Sequence, residues 1–207
     1  AELALGHIIA CDRRIVDASL DLRSGNWKKK VYQNAAGLRG RSMGIIGLGS
    51  IGSALAKIAK GLDMRVIAWS RSLTPDKADE LDLVYCASIA DLAANADVVS
   101  VHLAVTTDTK QLLSNDFFNK MKDGAIFVNT SRGEIVDTAA LRKAIDDKAL
   151  RVGLDVFENE PGSGIAEFDQ TELADLITCT PHIAASTNQA SEAIADEVVR
   201  AVDSLIK

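Results

Sequence analysis

A chain of 207 residues has room for one large domain with a sizeable core and an appendage. Its composition, 47% apolar and 25% charged with a net charge of −6, lacks the clustered Lys and Arg that direct nucleic-acid binding needs. No apolar run approaches the roughly 20 residues that cross a bilayer, and Ala1-Glu2-Leu3 lacks the basic start of a signal peptide.

In chain order, Leu3, Leu5, Ile8, Ile9, Ile15, Val16, Leu20 and Leu22 recur at helical spacing and predict a helix from residue 3 to about 23, closed by Ser24-Gly25. Lys28-Lys29-Lys30 reads as a solvated helix end, and the polar stretch to Gly40 carries no pattern. From Met43 onward short apolar runs alternate with amphipathic segments. Strands are predicted at 43–46, 65–69, 83–86, 98–103, 125–129, 152–155 and 176–179. Helices are predicted at 51–60, 89–95, 115–121, 138–147 and 188–207, with Ser88, Ser114 and Asp137 as N-caps. Pro75, Pro161 and Pro181 are all placed in loops.

Nearly continuous apolar strands alternating with helices require a parallel sheet covered on both faces, a doubly wound α/β fold. The expected organisation is an N-terminal helix and connecting segment (1–40), a Rossmann-type nucleotide-binding domain (41–187) and a C-terminal helix (188–207). Cys11, Cys86 and Cys179 are odd in number and lack a CxxC pair. They predict free, buried thiols in a reducing, cytoplasmic setting rather than disulfides or a metal site. Opening on an amphipathic helix without an initiator Met carries the expectation of a fragment.

Gly47-Leu48-Gly49-Ser50-Ile51-Gly52 follows a predicted strand and opens a helix. In that setting Gly47 permits the tight turn, Gly49 lets the backbone approach a pyrophosphate, and Gly52 allows close helix–strand packing. An acidic residue usually ends the second strand and binds the adenosine ribose. Here that position, 18 residues after Gly52, is Ser70, followed by Arg71. A carboxylate would repel a 2′-phosphate, whereas Arg71 offers a forked donor, which leans towards NADP or towards use of both NAD and NADP. The alternative is an Arg71 that lies over adenine or is solvated.

His102 reads as a packing residue or a backbone contact to the cofactor, and Thr106, Thr107 and Thr109 follow in a loop facing the nicotinamide half. His7 reads as structural. Arg132, after the 125–129 strand, is placed to grip a substrate carboxylate through two parallel hydrogen bonds; its alternative is a surface ion pair. Asp155 could accept from a nicotinamide carboxamide. Glu158 and Glu160 compete to support His182, since a carboxylate on one ring nitrogen fixes the tautomer and leaves the other to exchange a proton. Spacing alone does not choose between them.

Four ordered blocks carry a resemblance. Gly47 to Gly52, Asn129-Thr130-Ser131-Arg132-Gly133 with Ile135-Val136-Asp137, Leu154-Asp155-Val156-Phe157-Glu158-Asn159-Glu160-Pro161 and Thr180-Pro181-His182-Ile183 resemble the D-isomer-specific 2-hydroxyacid dehydrogenases. Residues 183–200, led by Ala184-Ala185-Ser186-Thr187, are most similar to the D-3-phosphoglycerate dehydrogenase branch, which serves serine biosynthesis. The resemblance implies hydride transfer between NAD or NADP and a D-2-hydroxy acid (or its 2-oxo partner). Arg132 would anchor the substrate carboxylate, His182 would act as acid/base, and Glu160 rather than Glu158 would be its partner.

The implied cofactor-facing set is Gly47, Gly49, Ser50, Ile51, Gly52, Ser70, Arg71, His102, Leu103, Thr109, Thr130, Ser131, Arg132, Asp155, His182 and Ala184, with no metal. Asp155 would meet the carboxamide, and the first helix would pack at a two-fold interface, giving a homodimer. Departures are Ser70 for the usual acid, Ala104 where many members have Pro, and a segment from Arg132 to Glu160 one residue shorter, which would offset the strand at Val152. The family's substrate domain is expected to be missing from this sequence. Two rival readings remain: a glyoxylate/hydroxypyruvate reductase, suited by Trp69-Ser70-Arg71, and a dinucleotide-sensing corepressor of the C-terminal-binding-protein type.

Overall fold

The computed structural model describes residues 1–162 and 164–206. Helices α1 (Glu2–Arg13), α2 (Ile15–Arg23) and α3 (Lys29–Tyr32) precede β1 (Ser42–Ile46), α4 (Ser50–Gly61) and β2 (Arg65–Trp69). Next come α5 (Pro75–Glu80), β3 (Val84–Tyr85), α6 (Ile89–Asn95), β4 (Val98–Val101), α7 (Asn115–Lys120) and β5 (Ile126–Asn129). A 3-10 turn (Gly133–Ile135), α8 (Thr138–Lys148), β6 (Arg151–Leu154), α9 (Thr171–Ala174), β7 (Thr178–Cys179) and α10 (Asn188–Ile206) complete the chain. Among the described residues no helix is long and apolar enough to cross a membrane.

The seven strands form one parallel sheet in the order β3-β2-β1-β4-β5-β6-β7. This is the doubly wound α/β fold expected from the alternation. Its central strands are apolar on both faces because helices cover both: Met43, Ile45 and Ile46, like Val98, Val99 and Val101, are fully buried. One face is a core of Leu92, Phe117, Phe118, Phe127 and Leu141, its three phenylalanines meeting edge to face. The other packs Ala4, Ile8, Leu55 and Ala59 against Met43, Ile45 and Val128. Each large apolar side chain so buried contributes about 1.5–3 kcal/mol of transfer free energy. Strand order reverses between β1 and β4, and the carboxyl edge at such a switch point is where open α/β sheets bind ligands.

The structure corrects several expectations. The single helix over 3–23 is two, broken at Arg14, whose backbone is left-handed (φ 52°) and whose N–H caps Ala10. The apolar period continues across the break, but α2 leaves the core: it has no buried residue, and Ile15, Val16, Leu20 and Leu22 are 40–56% exposed. Pro75 is not in a loop but in the first turn of α5, where its missing N–H costs nothing and Thr74 caps Lys77. The lysine run begins its own short helix α3, with Lys28 paired to Asp21. The outermost strands β3 and β7 keep two residues each, because each has a neighbour on one side only. Strand β4 ends at Val101, leaving His102 and Leu103 beyond the sheet edge. Ser114 stands at the N-cap of α7 without a side-chain bond, whereas Ser88 and Asp137 cap as expected. All three cysteines are free, but Cys179, on edge strand β7, is exposed rather than buried. Strand β6 pairs with β5 in unbroken register from Arg151, one residue before the predicted start.

Candidate active site

The glycine loop joins β1 to α4 at the switch point. Gly47 has φ 99°, and its N–H bonds Trp69 O at 2.8 Å. A Cβ there would lie 2.4 Å from His102 O, and one on Gly52 only 2.0 Å from Gly47 O, so only glycine permits this closure. At Gly49, the N-cap of α4, a Cβ would meet nothing within 4 Å, and no side chain caps the helix. The first-turn N–H groups, from exposed Ser50 and Ile51, therefore face open space with the positive end of the helix dipole behind them. That cradle fits the pyrophosphate of a dinucleotide.

His102 and Leu103 form the floor of this loop. His102 N donates to Ile46 O at 2.8 Å, and its Nε2 meets Ser100 Oγ at 2.9 Å. Burial pushes the His102 pKa down to about 4, so the ring is neutral and is a packing residue, not an acid/base. The buried Thr109 hydroxyl donates to Ala104 O and accepts from Thr106 N, both at 2.7 Å, and so staples its own loop. At the end of β2, Ser70 is half-buried and the Arg71 side chain is exposed, with no partner among the described residues.

At the end of β5, Asn129 is 1% exposed and organises the following turn. Its Oδ1 accepts from Ser131 N (3.0 Å) and Ser131 Oγ (2.7 Å), and its Nδ2 donates to Arg132 O (2.8 Å). Arg132 is exposed, and its Nη1 donates to Ser131 O at 2.6 Å. Among the described residues it meets no carboxylate, which removes the surface ion pair and leaves the guanidinium edge open to an anionic group. Gly133 packs so closely on Phe157 that a Cβ would lie 2.0 Å from its carbonyl carbon, bringing this turn against the segment that carries both glutamates.

That segment resolves the competition. Glu160 Oε2 meets His182 Nδ1 at 2.6 Å, while Oε1 accepts from Phe157 N at 2.8 Å. Glu158 instead accepts from Thr138 Oγ1 at 3.2 Å. Because Glu160 is held as an acceptor at both oxygens, His182 Nδ1 is the donor, and Nε2 is left free for a proton. A cavity of about 390 Å³, lined in part by Phe157, Phe168 and Cys179, opens beside this pair.

His182 itself is left-handed (φ 53°), a conformation that costs a non-glycine residue on the order of 1 kcal/mol. Asp155 holds it there. His182 N donates to Asp155 O at 2.7 Å, and the Asp155 carboxylate accepts from Ile183 N (2.9 Å), Ala184 N (2.8 Å) and Thr180 Oγ1 (2.5 Å). Asp155 is fully buried and acts as a strut for the turn.

The description "D-isomer specific 2-hydroxyacid dehydrogenase, NAD binding domain" matches residues 5–184. This chain belongs to that family. As its NAD-binding domain it is 38% identical over 209 residues to the glyoxylate reductase of Thermococcus litoralis, covering 97% of this chain and 61% of the relative. It is 39% identical over 191 residues to the D-3-phosphoglycerate dehydrogenase of Archaeoglobus fulgidus, covering 92% of this chain and 35% of that one. The structure superposes on the Aquifex aeolicus D-lactate dehydrogenase, solved with NAD and lactic acid, with a TM-score of 0.85 at 29% identity, over 99% of this chain and 65% of that one. This NAD-binding domain thus spans less than two thirds of the length of these three relatives.

The roles of three contributors were not read from the sequence, where His7 is noted only as structural. Asn129 was quoted only as part of a motif, although an Asn two residues before a Ser is an Asx-turn signal. Thr180 and His7 gave no local signal, because their bonds join positions 173 residues apart.

Proposed function

We propose that the protein catalyses reversible hydride transfer between a nicotinamide dinucleotide and a D-2-hydroxy acid, with His182 exchanging the hydroxyl proton. The observation that carries this reading is the 2.6 Å contact between His182 Nδ1 and Glu160, which turns Nε2 outward as acid/base. Gly47, Gly49, Ser50, Ile51 and Gly52 hold the pyrophosphate, and Thr130, Ser131, Leu103 and Ala184 border the rest of the cofactor. The bound dinucleotide supplies the hydride or receives it. Arg132 holds the substrate carboxylate through paired N–H donors and polarises the neighbouring carbonyl during reduction. When Nε2 takes up the hydroxyl proton, Glu160 stabilises the resulting imidazolium.

The likeness of residues 183–200 to the phosphoglycerate branch supports 3-phosphoglycerate, and hence serine biosynthesis, as the first substrate reading. A glyoxylate or hydroxypyruvate reductase is the second, supported by the exposed, unpaired Arg71 after Ser70, which suits NADPH. The apolar face of α2, with Trp27 79% exposed nearby, supports a homodimer. One assay separates the substrate readings: turnover of phosphohydroxypyruvate, hydroxypyruvate and glyoxylate with NADH and NADPH, repeated with His182→Ala. His182→Ala lowers kcat by about a thousandfold if His182 is the acid/base. In the full-length protein, retention of most of the rate would sink that role, and no turnover of any 2-oxo acid would favour the corepressor.

A further inference from the structure

His7 lies on α1, on the opposite side of the sequence from the acid/base turn, and is 2% exposed. Its Nε2 is 3.0 Å from Thr180 Oγ1. The Thr180 hydroxyl already commits its proton to Asp155 Oδ1 at 2.5 Å, so it can only accept from the imidazole. His7 is therefore the Nε2–H tautomer, consistent with burial, which lowers its pKa despite the opposing influence of Asp155. In this tautomer Nδ1 is an acceptor, and it is the one buried side-chain polar atom among the described residues that has no partner.

Two features show that the imidazole is seated rather than merely tolerated. A Cβ on Gly153, in the middle of β6, would lie 2.7 Å from His7 Cβ and 3.3 Å from Nδ1, so the strand has a gap where the ring sits. The orphaned Nδ1 is also a cost that a leucine of similar size would avoid. What imidazole adds is the Nε2–H.

We propose that His7 is a positioning residue: through the Thr180 hydroxyl it orients the Asp155 carboxylate, and through that carboxylate it sets the turn that presents His182. The functional consequence rests on the acid/base reading of His182; the mechanical link does not. Without the donor, the Thr180 hydroxyl loses the bond that fixes its direction. The Asp155 oxygens then hold the Ile183 and Ala184 N–H groups less rigidly.

The test is amide hydrogen exchange in the full 207-residue chain, with Ile45 and Val99 as core references. His7→Leu keeps the packing and removes the donor; it speeds exchange at Ile183 and Ala184 about five- to tenfold relative to the core. Thr180→Val does at least as much, and the double variant matches Thr180→Val alone because His7 acts through that hydroxyl. His7→Gln, whose Nε2 amide reaches the same point, restores protection. Unchanged exchange in His7→Leu overturns the proposal. So do effects of the two single variants that multiply, or protection lost equally from core and turn. In the enzyme assay, His7→Leu lowers kcat severalfold with cofactor KM unchanged. If the full-length wild-type protein reduces no 2-oxo acid while the exchange coupling persists in this chain, the enzymatic reading fails and the positioning link stands.

Discussion

The two halves of the site are built by opposite means. The loop from Gly47 to Gly52 turns the first-turn N–H groups of α4 to open space, and Gly47, Gly49 and Gly52 keep three of its six positions free of side chains. The turn from Asp155 to Ala184 is crowded with side chains whose polar atoms satisfy one another, leaving one outward nitrogen on His182. The difference follows from the task. A phosphate is large, charged and tolerant of small displacements, so unpaired helix-end dipoles suffice. A proton moves over a fraction of an ångström, so its acceptor has to be held in place by neighbours that are themselves held.

The contrast can be broken in several ways, the first of which acts within the cradle. Gly52→Ala, whose Cβ would strike Gly47 O, costs on the order of 3 kcal/mol and lowers Tm by about 6–12 °C, whereas Gly49→Ala leaves Tm unchanged and weakens cofactor binding about tenfold. Calorimetric titration beside a melt separates them; equal losses of stability would erase the distinction between a packing glycine and a ligand-facing one. On the other side, Glu160→Gln lowers kcat about a hundredfold while Glu158→Gln changes it less than twofold. The reverse ranking in steady-state kinetics would overturn the pairing seen here.

Acid probes the floor of the cradle. Unfolded, His102 takes up a proton as pH falls below 6.5, but the folded chain does so only near 4. The unfolded state thus binds more protons across that window, so stability is complete above 6.5 and falls by about 3 kcal/mol towards 4. His102→Gln should flatten that slope in urea melts at successive pH values, leaving the smaller part that buried His7 contributes in the same direction. A slope that does not change would place the acid sensitivity elsewhere. The smallest effect belongs to the second-strand edge. Ser70→Asp shifts the NADPH-to-NADH affinity ratio about fivefold towards NADH by repelling the 2′-phosphate. An unaltered ratio would remove Arg71 from cofactor choice.

Legibility followed the range of the interactions. The strand–glycine loop–helix unit was plain because its glycine spacing lies in one short stretch, although Trp69 and His102 complete its closure, and the paired α/β rhythm dictated the sheet. The break at Arg14 was hidden, since the apolar period runs on into α2 while the core does not. Glu158 and Glu160 were indistinguishable from spacing; the choice is made by a turn 22 residues further on. Thr109 and Asp155 stood at the carboxyl edge, where ligand contacts are found, and nothing in their own sequence shows the loop and turn bonds that they make. A polar residue at an edge announces its place more clearly than its partner.

Helix α1 touches both ends of the sheet. At one end Asp12 accepts from Arg41, and Arg151 donates to the carbonyls of Cys11 and Asp12, 140 and 139 positions away. At the other end His7 reaches Thr180. Three of its packing partners, β5, β6 and β7, belong to the last part of the domain, so the first helix in this chain cannot complete its docking until those strands exist. Loop closure over such separations is slow. Until then α1 is only partly docked, with His7 and the carbonyls of Cys11 and Asp12 short of their late partners, and it is open to aggregation and proteolysis while those elements assemble. The helix that bonds Thr180 is thus among the last elements to dock fully.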